Sequence, residues 1–418
     1  MASISPFHGI RYNPKTCPDL GAVITPPYDV IQPQEQEEYY RRSPYNIIRL
    51  EYGQTDPGDS AADNRYTRAA AAFRQWLAEE VLIREKEKAI YRYEQSFVHN
   101  NTRYLRTGII VALKVEPYEK KIILPHEETL TQPKSDRLEL LRHCRANFSP
   151  IFGLFPDPEQ RVEQICAAGS GELLYDFTDE HGDRHRLLAI KDPSLCRQLV
   201  DFLAPLPVFI ADGHHRYETA LNYAASADLE RHPGHGYVLC TLVSLHHPGL
   251  VVLPTHRLLH SLTPAQLEKL LPLIRQNFAL LEWGNLERLD WPAFWEVLDR
   301  QAQEGPAMGL LLPREVYILK AKTGEDRLDV SLLQELIFEK LLPPGQDVES
   351  CLDFTRSEEE ALAGIRAGRW QAAFILRPAS VEQITRMAYR GERMPQKATY
   401  FYPKLPSGLV IYHLDQSL

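Results

Sequence analysis

The sequence predicts a mixed α/β (α+β) fold in a chain of two domains, 1–260 and 261–418. Three observations predict it. The chain has 418 residues, and domains of roughly 100–200 residues make that two to three. Short apolar runs of strand length interleave with amphipathic runs of helix length up to about residue 260. From Ser261 the texture changes to longer helix patterns separated by brief strands.

The opening is turn-rich, with Pro26-Pro27 set between two short apolar pieces in "GAVITPPYDVIQPQE". A short helix pattern follows, breaks at Ser43-Pro44, and gives way to a strand at Ile47-Ile48. "SAADNRYTRAAAAFRQWLAEEVL" is the clearest helix: Ser60 caps it, and Tyr66, Ala69, Ala70, Phe73 and Leu77 recur at helical spacing. "AIYRYEQSFVHNNTRYLRTGIIVALKVEPY" reads as two strands joined at Asn100-Asn101, the second over 107–115. A short strand, a polar loop, a helix from about Lys134 and a strand near Ile151 come next, then a hairpin around Glu180-His181-Gly182-Asp183. "GYVLCTLVSL" and "LVVLPTHRLL" read as strands. Beyond Ser261, helices over 264–277, 292–303 and 332–342 alternate with strands over 309–312 and 315–320. The tail adds a strand, a helix and a loop dense in Lys, Thr and Tyr.

The bulk composition excludes several classes. A net charge of −9 argues against a general nucleic-acid or membrane-surface binder, which needs a basic face. The six cysteines lack paired spacing, so neither a zinc ribbon nor a disulfide framework is expected. No apolar run approaches the roughly 18 residues of a membrane span. The chain reads as soluble and cytoplasmic.

The chemistry gathers in "PVFIADGHHRYETALNYA", residues 207–224. An apolar strand ends at Asp212-Gly213 and empties into His214, His215 and Arg216 at the mouth of a helix. A helix start carries unpaired N–H groups and partial positive charge, so it receives anions. Gly213 permits a sharp turn and close approach. Arg216 is disfavoured in a first turn unless an anion compensates, and its fork suits phosphate oxygens. Taken singly, these residues have plainer uses: a His-His pair is commonly surface or satisfied core, and Asp212 is a natural helix cap. Together, and with no Walker A loop in the chain, they point to a phosphate cradle formed by Gly213, His214, His215 and Arg216.

"DGHHRYETA" resembles the phosphate-binding segment of the ParB/sulfiredoxin superfamily, whose members bind nucleotides at such a helix start. The resemblance implies a ParB/sulfiredoxin-like core with insertions in 1–260, followed by a C-terminal α/β region whose tail returns to the active site. His214 stands where sulfiredoxins carry their catalytic cysteine, which puts that redox activity in doubt. The free serine kinases of the superfamily are closest in chemistry. "ITPPYDVI", "SPYNIIRLE", "HEETLTQPKSDR", "ADGHHRYETAL", "LPTHRLL" and "MPQKATYFYPKLPSGLVI", in that order, are together similar to a broad bacterial and archaeal family known as domain of unknown function 1015.

The resemblance implies ATP or ADP with Mg2+ as cofactors, and a small hydroxylated metabolite, free L-serine first, as acceptor. A kinase needs a base for the acceptor hydroxyl. "LPHEETLTQPKSDR" offers His126 and Glu127; Glu127 is the expected base, with His126 and Asp212 as its catalytic companions. Tyr28 and Asp29, His256 and Arg257, and Lys397 and Lys404 are candidates to line the substrate pocket. The plainer readings are a solvated acidic loop and ordinary surface lysines. Two other functions stay open. One is a metal-dependent phosphoesterase using Asp212 and the histidines, although Gly213 interrupts the aspartate–histidine–histidine order of one such family. The other is a non-catalytic nucleotide-binding module.

Overall fold

The computed structural model describes residues 1–127, 131–169, 171–323, 327–342 and 348–418. The chain forms two compact units. The first comprises 1–251 with the returning pieces 388–391 and 403–418, and the second comprises 252–387 and 392–402.

Nine strands form the main sheet of the first unit among the described residues: β1 (Ile4–Ser5), β2 (Ile90–His99), β3 (Thr102–Lys114), β4 (Ile123–Leu124), β5 (Ile151–Phe155), β6 (Glu172–Thr178), β7 (Arg184–Ile190), β8 (Val208–Asp212) and β9 (Tyr237–Ser244). Their order is β4-β8-β5-β9-β3-β2-β7-β6, and β1 continues the ladder along β3 where β2 ends. Only β4–β8 and β5–β9 run parallel among these pairings. β5, "IFGLF", is buried at every position and β9 at all but its first. An unbroken apolar run of this kind suits a strand covered on both faces. β2 and β3 meet at Asn100 and Asn101, both with positive φ, as a tight hairpin demands.

Helices cover the sheet. α1 (Arg65–Ala78) begins at Asn64, not at Ser60: the Asn64 side chain accepts from the N–H of Tyr66 and Thr67, and Thr67 returns a bond to the Asn64 N–H. That reciprocal box satisfies two end groups together, whereas Ser60 only closes the preceding turn. α2 (Thr131–Cys144) and α4 (His214–Ser226) pack together. Between them in sequence lies α3 (Pro193–Leu203), capped by Asp192 and burying Cys196, Leu199 and Leu203. Ile47-Ile48 is not a strand. The Asn46 side chain accepts the Ile48 N–H at 2.9 Å, a turn that nucleates the short helix Ile48–Glu51.

The second unit is built on an antiparallel sheet of β10 (His256–Leu259), β11 (Phe278–Asn285), β12 (Ala307–Leu311), β13 (Glu315–Ala321), β14 (Leu352–Thr355) and β15 (Ala372–Ile375), ordered β11-β13-β12-β15-β10-β14. α5 (Pro264–Asn277), α6 (Trp291–Ala302) and α7 (Glu358–Arg366) accompany it. Phe294, Leu298, Ile365 and Trp370 close its core. The architecture is mixed α/β in both units. No helix among the described residues is long and apolar enough to cross a membrane, and no disulfide joins the six buried cysteines.

One central position tests the sheet. A Cβ at Gly108 on β3 would lie 2.6 Å from the Leu242 carbonyl oxygen on β9. That neighbour is backbone in a paired strand and cannot rotate away. Gly108→Ala is expected to destabilise the protein by about 1–3 kcal/mol in urea unfolding, whereas Gly182→Ala, at a turn with open space around it, loses only the cost of its positive φ.

Candidate active site at a strand-to-helix turn

β4 and β8 run parallel, so both point their carboxyl ends at the same place. His126 lies just beyond β4, and Asp212 closes β8. Ligands of open α/β sheets collect outside such carboxyl ends. Gly213 turns the chain with φ 86° and ψ 29° and starts α4 without a side-chain cap. Asp212 is therefore not the cap of this helix, and its carboxylate is released for other partners.

Those partners are two cations. Asp212 Oδ2 accepts from Arg216 Nη2 at 2.8 Å, one helical turn on, and Oδ1 accepts from Lys404 Nζ. Arg216 also donates to the Pro150 carbonyl at the entry to β5. The guanidinium folds back over the turn: a Cβ at position 213 would meet three of its atoms at 3.1 Å. Glycine is thus required twice, by φ and by space. Burial alone would raise the Asp212 pKa, but Lys404 and then Arg216 outweigh it and hold the carboxyl ionised. Arg216, whose charge burial disfavours, is held protonated by Asp212 and then Asp29.

His126 is fully buried, and its Nδ1–H donates to the Ile210 carbonyl at 2.6 Å. That bond places the ring's unprotonated nitrogen at Nε2. Its backbone N–H approaches His214 Nε2 at 3.4 Å, and the two rings meet edge to face at 4.8 Å. Burial pushes the His126 pKa down to about 4. His215 is half-buried, and burial lowers its pKa as well, against the pull of Asp29 and Glu218. Glu127 follows His126 and is half-buried. Glu128, in the same acidic run, lies outside the described residues.

Behind the turn is a second charged layer, of which the sequence pointed to Tyr28 but not to Glu51. Glu51 and Arg137 are both buried. Arg137 Nη1 donates to the Glu51 carbonyl at 2.8 Å and lies 3.3 Å from its carboxylate, and Nη2 donates to Asp136 at 2.6 Å. Ser149 donates to Glu51 at 2.7 Å, and Tyr66 to Asp136 at 2.7 Å. The Arg137 guanidinium stacks 4.0 Å over the Tyr28 ring. A cavity of about 30 Å³ opens among Glu51, Arg137, Ser149 and Arg216, room for a water molecule. Burial raises the Glu51 pKa against Arg137. Lys134 pairs with Glu218 of α4 at 3.0 Å. The signal for Glu51 was faint: one acid ending the apolar run "NIIRLE".

The first unit therefore brings together His126, Asp212, Gly213, His214, His215, Arg216 and Lys404, and its electrostatics link Tyr28 and Asp29 to Arg216. His256, Arg257 and Lys397 belong to the second unit. His256 Nδ1 accepts the Leu376 N–H at 3.2 Å, and its Nε2 lies 3.9 Å from Glu358. Arg257 donates to the Gln396 carbonyl at 3.0 Å. Lys397 sits 4.5 Å over the Phe354 ring.

Fold and site together define a mixed α/β chain whose strand-to-helix turn shares one carboxylate between two cations. The chain belongs to the DUF1015 family, described as proteins of unknown function, whose model matches residues 4–336. No curated protein matches it. Among solved structures it is similar to a conserved hypothetical protein from Pyrococcus furiosus, at 15% identity over 72% of this chain and 93% of that one, with a TM-score of 0.37. A free serine kinase in complex with AMP matches at 14% identity over 74% and 91%, with a TM-score of 0.39. SbnI from Staphylococcus aureus, truncated at its C-terminus, matches at 12% identity over 70% and 83%, with a TM-score of 0.37.

Two outcomes follow from this geometry. Removing Arg137 strands the Glu51 carboxylate in the interior, so Arg137→Ala should cost about 3–5 kcal/mol in urea unfolding. His126 has a folded pKa of about 4 against an ordinary 6.5. The unfolded chain therefore takes up a proton that the folded one refuses. Stability from neutral His126 is complete above 6.5 and is lost as pH falls through about 4. His126→Gln should shrink the loss of unfolding free energy between about pH 7 and about pH 4, read from denaturant titrations at each pH.

Proposed function

We propose that this chain is a nucleotide-dependent phosphotransferase, a kinase that moves a phosphoryl group from ATP or ADP to the hydroxyl of a small metabolite, free L-serine first among acceptors. One observation carries the reading: Asp212 is shared by Arg216 and Lys404 at a helix start opened by glycine. Two cations converge on one carboxylate beside a helix N-terminus, a setting that favours phosphate oxygens.

The roles divide as follows. Backbone N–H groups from Gly213 to Arg216, with the Arg216 fork and Lys404, hold the phosphates. His126, kept neutral, supports the start of α4 through His214. Glu127 takes the proton of the acceptor hydroxyl, the acceptor oxygen bonds to the terminal phosphorus, and the bond to the leaving phosphate oxygen breaks. The nucleotide leaves one phosphate shorter. Mg2+ would be carried by the nucleotide's own phosphate oxygens, since Asp212 is committed to Arg216 and Lys404 and Glu127 to the acceptor proton. When bound, Mg2+ supplies charge neutralisation on the transferring group. Tyr28 and Asp29 support the Arg216 side of the site.

The test is direct. Purified protein with Mg2+ and either ATP or ADP is offered serine and a panel of hydroxylated metabolites, and products are read by mass spectrometry. One acceptor should be phosphorylated. Glu127→Gln should keep nucleotide binding and lose about 100-fold or more in kcat. Arg216→Ala should weaken nucleotide affinity about 10-fold or more by calorimetry. Full affinity in Arg216→Ala would remove the cradle from the proposal, and no product from any acceptor would remove the kinase.

A further inference from the structure

We infer that the first unit carries a transition-metal site formed by His232, His235 and Asp415. One candidate ligand atom from each of the three lies within 4.8 Å of the other two.

The sequence explains half of this arrangement. "HPGH" closes a single 3₁₀ turn, with the His235 N–H donating to the His232 carbonyl at 3.0 Å. Residues three apart eclipse in a 3₁₀ turn. The two imidazoles accordingly stack, 4.9 Å apart and 15° from parallel. Asp415 arrives from far along the chain: His235 Nε2 lies 2.7 Å from its Oδ1.

The backbone that carries the site is held in place before any ion arrives. A Cβ at Gly234 would come within 2.2 Å of the Leu414 carbonyl oxygen and 2.8 Å of that of Gln416. Only glycine lets the turn lie this close to the segment bearing Asp415. Tyr412 Oη donates to the Gly234 carbonyl at 2.9 Å and fastens the same contact. Arg145 takes the other oxygen, Oδ2, at 3.2 Å. It therefore orients the carboxylate so that Oδ1 faces the histidines, a supporting role typical of groups just outside a ligand set.

Two imidazole nitrogens and one carboxylate oxygen form a donor set for Zn2+ and its divalent transition-metal neighbours, not for Mg2+ or Ca2+. His232 is exposed, so water completes the coordination. Ligand distances of about 2.0–2.2 Å require the His235–Asp415 pair to open to about 3.3 Å and the exposed His232 ring to swing in from a spread of up to 4.8 Å. The ion replaces the hydrogen-bonded proton between them, which leaves to solvent. The bound ion ties the turn to the returning segment, a structural clip.

The experiment uses the full chain, freed of metal by a chelator, and Zn2+ alone as the probe. Calorimetry should show one Zn2+ per chain, and Zn2+ should raise the thermal unfolding midpoint. His232→Gln changes an exposed side chain, so its metal-free midpoint should match wild type while Zn2+ affinity falls about 10-fold or more. Asp415→Asn should lose both the binding and the thermal shift. Absence of stoichiometric Zn2+ in the wild-type chain overturns the site. So does a thermal shift that survives undiminished in both variants.

Discussion

The Asp212 carboxylate is the constraint around which the first unit is arranged. Its side chain is only 14% exposed and is held ionised, and such a group persists best with partners on both oxygens. Arg216 takes one and Lys404 the other. Each partner fixes a different piece of chain: Arg216 the first turn of α4, Lys404 the returning segment, and Asp212 itself the end of β8. Arg216 adds β5 through the Pro150 carbonyl. A side chain at Gly213 would disturb this directly, because the guanidinium occupies the space that a Cβ needs.

Arg216 also depends on charges behind it. Asp29, Tyr28 and Glu51 all favour its protonated form. Glu51 is in turn matched by Arg137, and Arg137 by Asp136, to which Tyr66 of α1 donates. The network runs from α1 through α2 to the helix start of α4. Charges so deeply placed are poor sources of net stability compared with apolar packing. What they contribute is position: bidentate and stacked contacts leave Arg137 few alternative orientations.

How much of this could be read from the residues differs by feature. Turn residues located the β2–β3 pair and the hairpin around Gly182, and periodicity located the helix over 264–277. It misplaced the start of α1, since Ser60 and Asn64 both have capping chemistry and only the partner at Thr67 decides between them. It misread Ile47-Ile48, because two β-branched residues carry no period and a polar Asn46 set the turn. The strand-to-helix turn was legible from Asp212, Gly213 and Arg216 as a set. The compensating anion for Arg216 was expected from outside, and the fold supplies one from within. Glu51 was invisible as a partner because nothing local to "NIIRLE" announces an arginine 86 positions later. Lys404 was named from its loop alone; its partner depends on a contact across 192 positions.

That last separation has a consequence in time. Ribosomes add about 5–20 residues per second. Asp212 and Arg216 are consequently translated about 10–40 seconds before Lys404, with the whole stretch of the second unit from 252 to 387 made in between. For that interval the nascent chain contains Asp212 and Arg216 but not the third charge, Lys404. Pausing within the second unit lengthens the wait.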